Sequence, residues 1–437
     1  MRQIFFLIPL FFSSSLFASF PGFFGPSSST SRIGNQANHN LKDPANFYYV
    51  PALLGQTENL SLSANISSTV HDFTPIQGIV TKNSTVGESG TDTTLGSVNT
   101  DYEDANNVSI HLALPLKTKY LKALGINFFS PIGSFAETNS GDPNLPEYSL
   151  YRSRYRRTQI HFNFGVPLSD NFFLSFGAHV GFQVAARVNT QVSLSDNYGS
   201  NGSAKTQIEP SLAGILSFAY KKGNDISYVT FQQEMKSNLD AIATGDISDP
   251  PLTLINIGLE SMIYYDPHIL RIGQTLDFNP VYVYMALEYQ MWENYVPPFI
   301  QVNNLGGTVR ASDRFESLTL RNTFNPKIGV QYSVTDKFNL STGVSFRQSP
   351  FDSDFSGAGN TIDSDSFIIS AGAGYEISLF GKQAQLGLSV QEHRLKEKTV
   401  TKTEGQENGS SGVKIGSPGY NISGSVISAS AGINVSF

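Results

Sequence analysis

The sequence predicts an all-β fold: a 14-stranded antiparallel transmembrane β-barrel with an N-terminal plug, or hatch, segment in its lumen. Three observations predict it. First, Phe172, Leu174, Phe176, Ala178, Val180, Phe182, Val184, Ala186 and Val188 are apolar, and Ser175, Gly177, His179, Gln183 and Arg187 between them are small or polar. Such a strand is longer than ordinary globular strands and long enough to cross a bilayer when tilted. Second, similar segments recur to the last residue, and their connections alternate short and long, as small turns at one rim and large loops at the other require. Third, after the opening residues no apolar run reaches the roughly 18 residues that a membrane helix needs.

Composition agrees. Among 437 residues, 32 Phe and 19 Tyr sit in a chain that is only 40% hydrophobic. Half of each strand facing lipid and half facing water produces that mixture. A secreted β-helix or a soluble sandwich is the competing reading. The net charge of −7 argues against nucleic acid as a partner. With no cysteine there is neither a disulfide nor a thiolate metal site.

In chain order, Arg2, the apolar residues 4–12 and the small residues 13–18 read as a signal peptide, residues 1–18, cleaved after Ala18. Residues 19–58 are the plug and 59–437 the barrel. Within the plug, residues 21–31 are rich in Gly, Pro and Ser and are expected to be irregular. Phe47, Tyr48, Tyr49, Leu53 and Leu54 are too apolar for a solvated tail, and a barrel lumen would bury them. The strands are read at 59–73, 106–117, 121–137, 150–168, 171–193, 204–221, 225–241, 267–279, 281–296, 324–334, 337–349, 364–378, 382–399 and 419–437. An even count lets the first and last strands close on each other with both ends at the same rim. The last strand ends in Phe437, an aromatic suited to the periplasmic interface.

The plug, the fourteen strands and the terminal Phe together resemble the FadL/TodX family of outer-membrane transporters for long-chain fatty acids and hydrocarbons. In that family an acidic residue and small residues lead through aromatics to an Asn-Pro-Ala-Gly-like motif. Here Asp43, Ala45, Phe47, Tyr48 and Tyr49 lead to Val50, Pro51, Ala52 and Leu53, with Val50 in place of the Asn and Leu53 in place of the Gly. The resemblance implies that outer loops capture a ligand, that the plug moves, and that the ligand leaves sideways through a kink in the third strand. Pro131 and Gly133 are the kink residues there, since Pro cannot donate to the ladder and Gly weakens it.

Strand phase selects the inward-facing basic groups. Arg157, Arg187, Lys327 and Arg347 are the candidates for holding a ligand's head group, with Arg187 and Arg347 nearest the outer mouth. Arg271 and the acids Asp277, Glu288 and Glu376 also face inward. The competing reading of each is a salt bridge that holds barrel and plug together. The apolar stretch 242–266, with Leu252, Leu254, Ile257 and Leu259, reads either as an outer binding loop or as an extension of the eighth strand. The connection 194–203 is shorter and more polar than the family's corresponding loop. Arg152, Arg154 and Arg156 alternate outward at the height of lipopolysaccharide phosphates, or are simply solvated. His71, His111, His161, His179 and His393 show no ligand spacing, so neither a metal nor another cofactor is expected.

The function expected is passive uptake of long-chain fatty acids or other hydrophobic compounds by a monomeric barrel in the outer membrane of a Gram-negative cell, in contact with outer-membrane lipid and lipopolysaccharide. The alternative is a structural or adhesive barrel that presents surface loops. No nucleophile–base pair suggests an enzyme.

Overall fold

The structure, a computed structural model, describes residues 21–437 apart from 83–92, 101, 103, 133–145, 152–156, 193–199, 249–250, 297–299, 307–318, 352–353, 356–360 and 403–418. Fourteen strands form one closed barrel. They are β1 (Ser61–Phe73), β2 (Ala105–Pro115), β3 (Ala123–Pro131), β4 (Gln159–Pro167), β5 (Phe172–Val192), β6 (Ser200–Lys222) and β7 (Asp225–Gln232, continued by Met235–Ser248). The others are β8 (Pro251–Asp266, continued by His268–Phe278), β9 (Val281–Met291), β10 (Thr323–Ser333), β11 (Phe338–Arg347), β12 (Ser366–Leu379), β13 (Lys382–Lys402) and β14 (Gly419–Ser436). β1 closes the cylinder by pairing with β14 from Ser61↔Ser436 to Phe73↔Gly424. Closure matters because lipid offers no partner to a free backbone N–H or C=O.

Alternation sets the two faces. Phe176, Leu216, Phe218, Ile328, Val344 and Ile369 are exposed on the outside, where lipid would cover them. Ser109, His111, Asn127, His161 and His179 are buried on the inside. Phe172, Tyr220, Phe278, Tyr332, Phe380 and Phe437 form an exposed aromatic girdle at the rim of short turns.

One departure from a simple up-and-down barrel is large. The β6–β7 ladder ends at Ile215↔Gln232, and Gln233 N–H then donates to the Gly214 carbonyl at 2.8 Å. From Met235 the chain crosses the inner face of β5 and β6, where Met235, Ile263 and Tyr264 bury against Phe182 and Ala213. Gly181 permits the crossing, since a Cβ there would overlap the Met235 sulfur and the Tyr264 hydroxyl. The outer half of β7 then pairs in parallel with β5, Leu239↔Val184 to Ile247↔Val192. The stretch 242–266 is therefore not a loop: it completes β7 and forms the outer half of β8, paired from Met235↔Asp266 to Ser248↔Pro251. The strand-extension reading holds because alternate residues of the hairpin continue the apolar outer and polar inner faces of β5.

Smaller differences follow from local chemistry. The connection 74–105 contains a hairpin, Ile76–Lys82 with Thr93–Val98, and residues 150–151, read as the start of the fourth strand, belong to a 3₁₀ turn, Ser149–Tyr151. Residues 21–31 are not irregular but form two single-turn helices, Pro21–Phe24 and Ser28–Ser31, the second held by a capping box between Ser27 and Thr30.

The segment 21–56 lies inside the bore and contacts strands around its circumference. Ser28 N–H donates to Asn65 Oδ1 at 3.2 Å on β1, and Ile33 and Gly34 lie against Gly329 on β10 and Gly343 on β11. Leu54 and Gly55 lie against Gly125 on β3 and Gly165 on β4. Gly34 (φ 85°) and Asn35 (φ 59°) reverse the chain after the second helix. Two glycine beds thus seat the segment by backbone approach: a Cβ at Gly343 would overlap Gly34 N, and one at Gly165 would overlap Leu54 C. Gly343→Val and Gly165→Val should each unseat the segment and raise ion conductance in planar bilayers while the barrel stays folded. Gly202→Val, where nothing lies nearer than 3.7 Å, should not. Unchanged conductance in both bed variants would show that the segment does not obstruct the bore.

Candidate functional site

Above the seated segment is an aromatic cap. Phe23 and Phe24 pack with Phe73, Tyr148, Leu150 and Tyr151 from one side, and Tyr265, Trp292, Tyr295, Phe351 and Ile362 belong to the same buried cluster. Between cap and wall lies a cavity of about 30 Å³, room for little more than a water or two. Gly22, Phe23 and Asn35 of the N-terminal segment line it, opposite Tyr265, Asp266, Trp292, Glu288, Lys327 and Arg347.

Its charged groups are paired. Glu288 on β9 accepts from Arg271 Nε on β8 at 2.6 Å and from Lys327 Nζ on β10 at 2.7 Å. Lys327 also donates to the Asn35 carbonyl at 2.9 Å. Arg271 lies 5.3 Å from the Tyr48 ring centroid, and Lys327 5.5 Å from that of Tyr49. Two cations against one carboxylate leave this triad with one net positive charge. Arg347 makes a bidentate pair with Asp363, 2.7 and 2.8 Å, donates to Tyr151 Oη at 3.1 Å, and lies 5.1 Å from the Phe23 ring. Arg157 pairs with Asp266 and packs 3.6 Å from the Tyr264 ring, while the cross-strand neighbours His161 and His179 stack at 4.3 Å.

The sequence candidates separate accordingly. Lys327 and Arg347 meet on the cavity, and Arg157 reaches it through Asp266. Arg187 does not join them. It is exposed on the part of β5 that rises beyond the β4 ladder, paired with Lys205 and Ile242 in register. Its phase is inward, and it lines a separate recess with Lys205, Asp240, Ile242 and Glu260. Leu252 is exposed near the tip of the β7–β8 hairpin, and Ile257 and Leu259 lie on its outward face. Val50, Pro51 and Ala52 are buried at the start of a 3₁₀ turn, Pro51–Gln56, that sits on the lower glycine bed. Pro131 ends β3: the ladder with β2 runs to Asn107↔Pro131, whereas that with β4 stops at Phe129↔Gln159. Gly133, Arg152, Arg154, Arg156, the side chain of Leu254 and the predicted signal segment lie outside the described residues. Asp277 and Glu376 sit in water at the rim of short turns. Phe23, Tyr265, Asp266, Trp292 and Asp363 were not predicted as site residues. Each lies in a connection or near a strand end, where alternation assigns no face.

No protein-family model matches the chain, and no curated protein resembles it in sequence. Solved structures do share the fold. A Pseudomonas aeruginosa FadL homologue superposes with a TM-score of 0.60 at 14% identity, over 97% of this chain and 99% of that one. The Pseudomonas putida toluene transporter TodX gives 0.55 at 11% identity, over 93% and 97%. The Ralstonia pickettii toluene transporter TbuX gives 0.51 at 14% identity, over 94% and 98%.

Glu288→Gln leaves Arg271 and Lys327 facing each other without their shared counter-charge. Breaking such a buried pair costs about 3–5 kcal/mol, so the variant should unfold at a lower temperature in detergent. Glu392→Gln, on the exposed Arg394–Glu392 pair, should leave the midpoint unchanged. Equal midpoints for the two variants would show that the triad does not contribute.

Proposed function

We propose that the barrel carries hydrophobic compounds passively across the outer membrane of a Gram-negative cell, its N-terminal segment moving when a ligand enters the outer cavity. The observation that carries this reading is that Gly22, Phe23 and Asn35 wall a cavity of about 30 Å³. That space is far smaller than an acyl chain or an aromatic ring, so a ligand can occupy it only by displacing the plug. Aromatic walls suit an apolar body, and burial of an acyl chain contributes about 0.8 kcal/mol per methylene. The net positive triad and Arg347 suit a carboxylate head, which favours long-chain fatty acids over neutral hydrocarbons. A ligand carboxylate at Lys327 would compete for the ammonium that holds the Asn35 carbonyl, coupling binding to release of the plug. The shared fold with a FadL homologue and with toluene transporters supports the same reading.

The outward face of the β7–β8 hairpin, with Leu252, Ile257 and Leu259, is the proposed landing surface, and Arg152, Arg154 and Arg156 are the proposed contacts with lipopolysaccharide. We assign sideways release to the outer end of β3. Pro131 has no N–H to donate there, and the β4 ladder has already stopped.

Cells expressing the chain should take up labelled oleate faster than cells without it, and faster than they take up labelled toluene. Equal oleate uptake with and without the chain, at verified surface expression, would overturn the transport reading and favour the structural or adhesive one. Replacing Pro131 and Gly133 together by Val should slow oleate release. Uptake unaffected by that double change would remove the sideways exit while leaving transport standing.

A further inference from the structure

Among the described residues, one buried cation of the bore touches no carboxylate. Arg32, in the N-terminal segment, is 2% exposed. Among the described residues it forms no ion pair; its Nη2 lies 3.5 Å from Gln331 Oε1, the long limit of a hydrogen bond, and Nε and Nη1 have no partner. No described carboxylate contacts it: Asp43 acts on it only at a distance, and other buried carboxylates of the bore are held by other cations. Asp43 caps the turn Pro44–Tyr48 and accepts from Ser29 and Asn38. Glu288 is shared by Arg271 and Lys327, Asp363 is held by Arg347, and Asp266 by Arg157. A guanidinium does not shed its proton, and a buried charge left uncompensated is strongly destabilising.

Its surroundings resemble a prepared recess. The guanidinium lies over Gly374, where a Cβ would overlap Nη1 and meet Asn339 Oδ1 at 2.7 Å. Gln331 and Asn339, which Arg32 lies behind, line a cavity of about 320 Å³ at the rim of short turns, together with His39, Lys42, Asp336 and Glu376. Asp336 and Glu376 are exposed, where water and salt screen their repulsion.

We propose that Arg32 is an oxyanion site, taking a carboxylate or phosphate group through this cavity on its free guanidinium edge, with the Gln331 and Asn339 amides as further donors. A bound anion supplies the ion-pair partner that Arg32 lacks among the described residues and so stabilises the closed state. The site faces away from the outer cavity and does not depend on what the barrel carries.

The test is the unfolding temperature of the full-length protein in detergent micelles, in sodium acetate or sodium phosphate against sodium chloride at matched ionic strength. The wild type should show a saturable rise with at least one oxyanion. Acetate alone marks a carboxylate site and phosphate alone a phosphate site. Arg32→Met should abolish the rise. No oxyanion-specific rise in the wild type, or the same rise in Arg32→Met, overturns the proposal. Should Arg32→Met fail to fold, Arg32→Lys decides. It keeps the charge without the fork, so saturation should move to roughly tenfold higher anion concentration, and unchanged saturation overturns the site.

Discussion

A polypeptide inside a bore closed by its own wall must find its hydrogen-bond partners in that wall or in itself, and this constraint organises the rest of the molecule. The Pro26 carbonyl accepts from Ser109 Oγ at 2.6 Å and faces His111 Nε2 at 3.0 Å. The Phe24 carbonyl accepts from Ser31 Oγ and Gln391 Nε2, and Phe23 O from Asn35 Nδ2. The inward polar residues of β2, β10 and β13 are thus a matched socket rather than a general hydrophilic lining. Glycines at the contact points complete it, because main chain can approach main chain only where no Cβ intervenes.

The same matching makes the closed state conditional. Lys327 serves both Glu288 and the Asn35 carbonyl, and Phe23 is at once a wall of the outer cavity and a lid for Arg347. Groups that hold the plug are therefore groups that a ligand would touch. The cavity is small because the plug fills the space, and the barrel's charged pairs lie at the plug's margin rather than scattered through the bore. Structural ion pair and ligand contact were opposed readings of Lys327 and Arg347 in the sequence. Under the proposed function one residue would serve both, as a latch whose strength depends on what else occupies its hydrogen-bonding positions.

Much of this was legible because period-two alternation states which side of a wall each residue faces. It located the strands, the closing pair and the inward phase of Arg157, Lys327 and Arg347. The aromatic run from Phe47 to Tyr49 announced a buried segment because water would not hold it. Alternation does not state which strand is the neighbour. The change of partner at Gln233, where β7 leaves β6 for β5, was invisible for that reason, and with it the true place of Ile257 and Leu259. Arg187 has the inward phase that alternation predicts, yet it sits exposed on β5 above the last β4 pairing, apart from the other basic candidates, because alternation does not state how far a neighbour strand extends. Arg32 gave no signal at all: it follows the stretch 21–31 read as irregular, and nothing in a plug sequence marks one basic residue as lacking a carboxylate. Asp363 meets Arg347 from the connection to the next strand, whereas Asp266 reaches Arg157 because β7 and β8 cross to lie beside β5.

The chain's lack of cysteine permits one direct measurement. Ser28 and Asn65 touch across the plug–wall boundary, 3.3 Å between side-chain oxygens, so a Ser28→Cys, Asn65→Cys pair can lock the segment to β1 by oxidation and release it by reduction. If ligand passage requires the plug to leave its socket, oleate uptake is lost in the oxidised protein and returns on reduction. Undiminished uptake through the cross-linked protein would contradict the account.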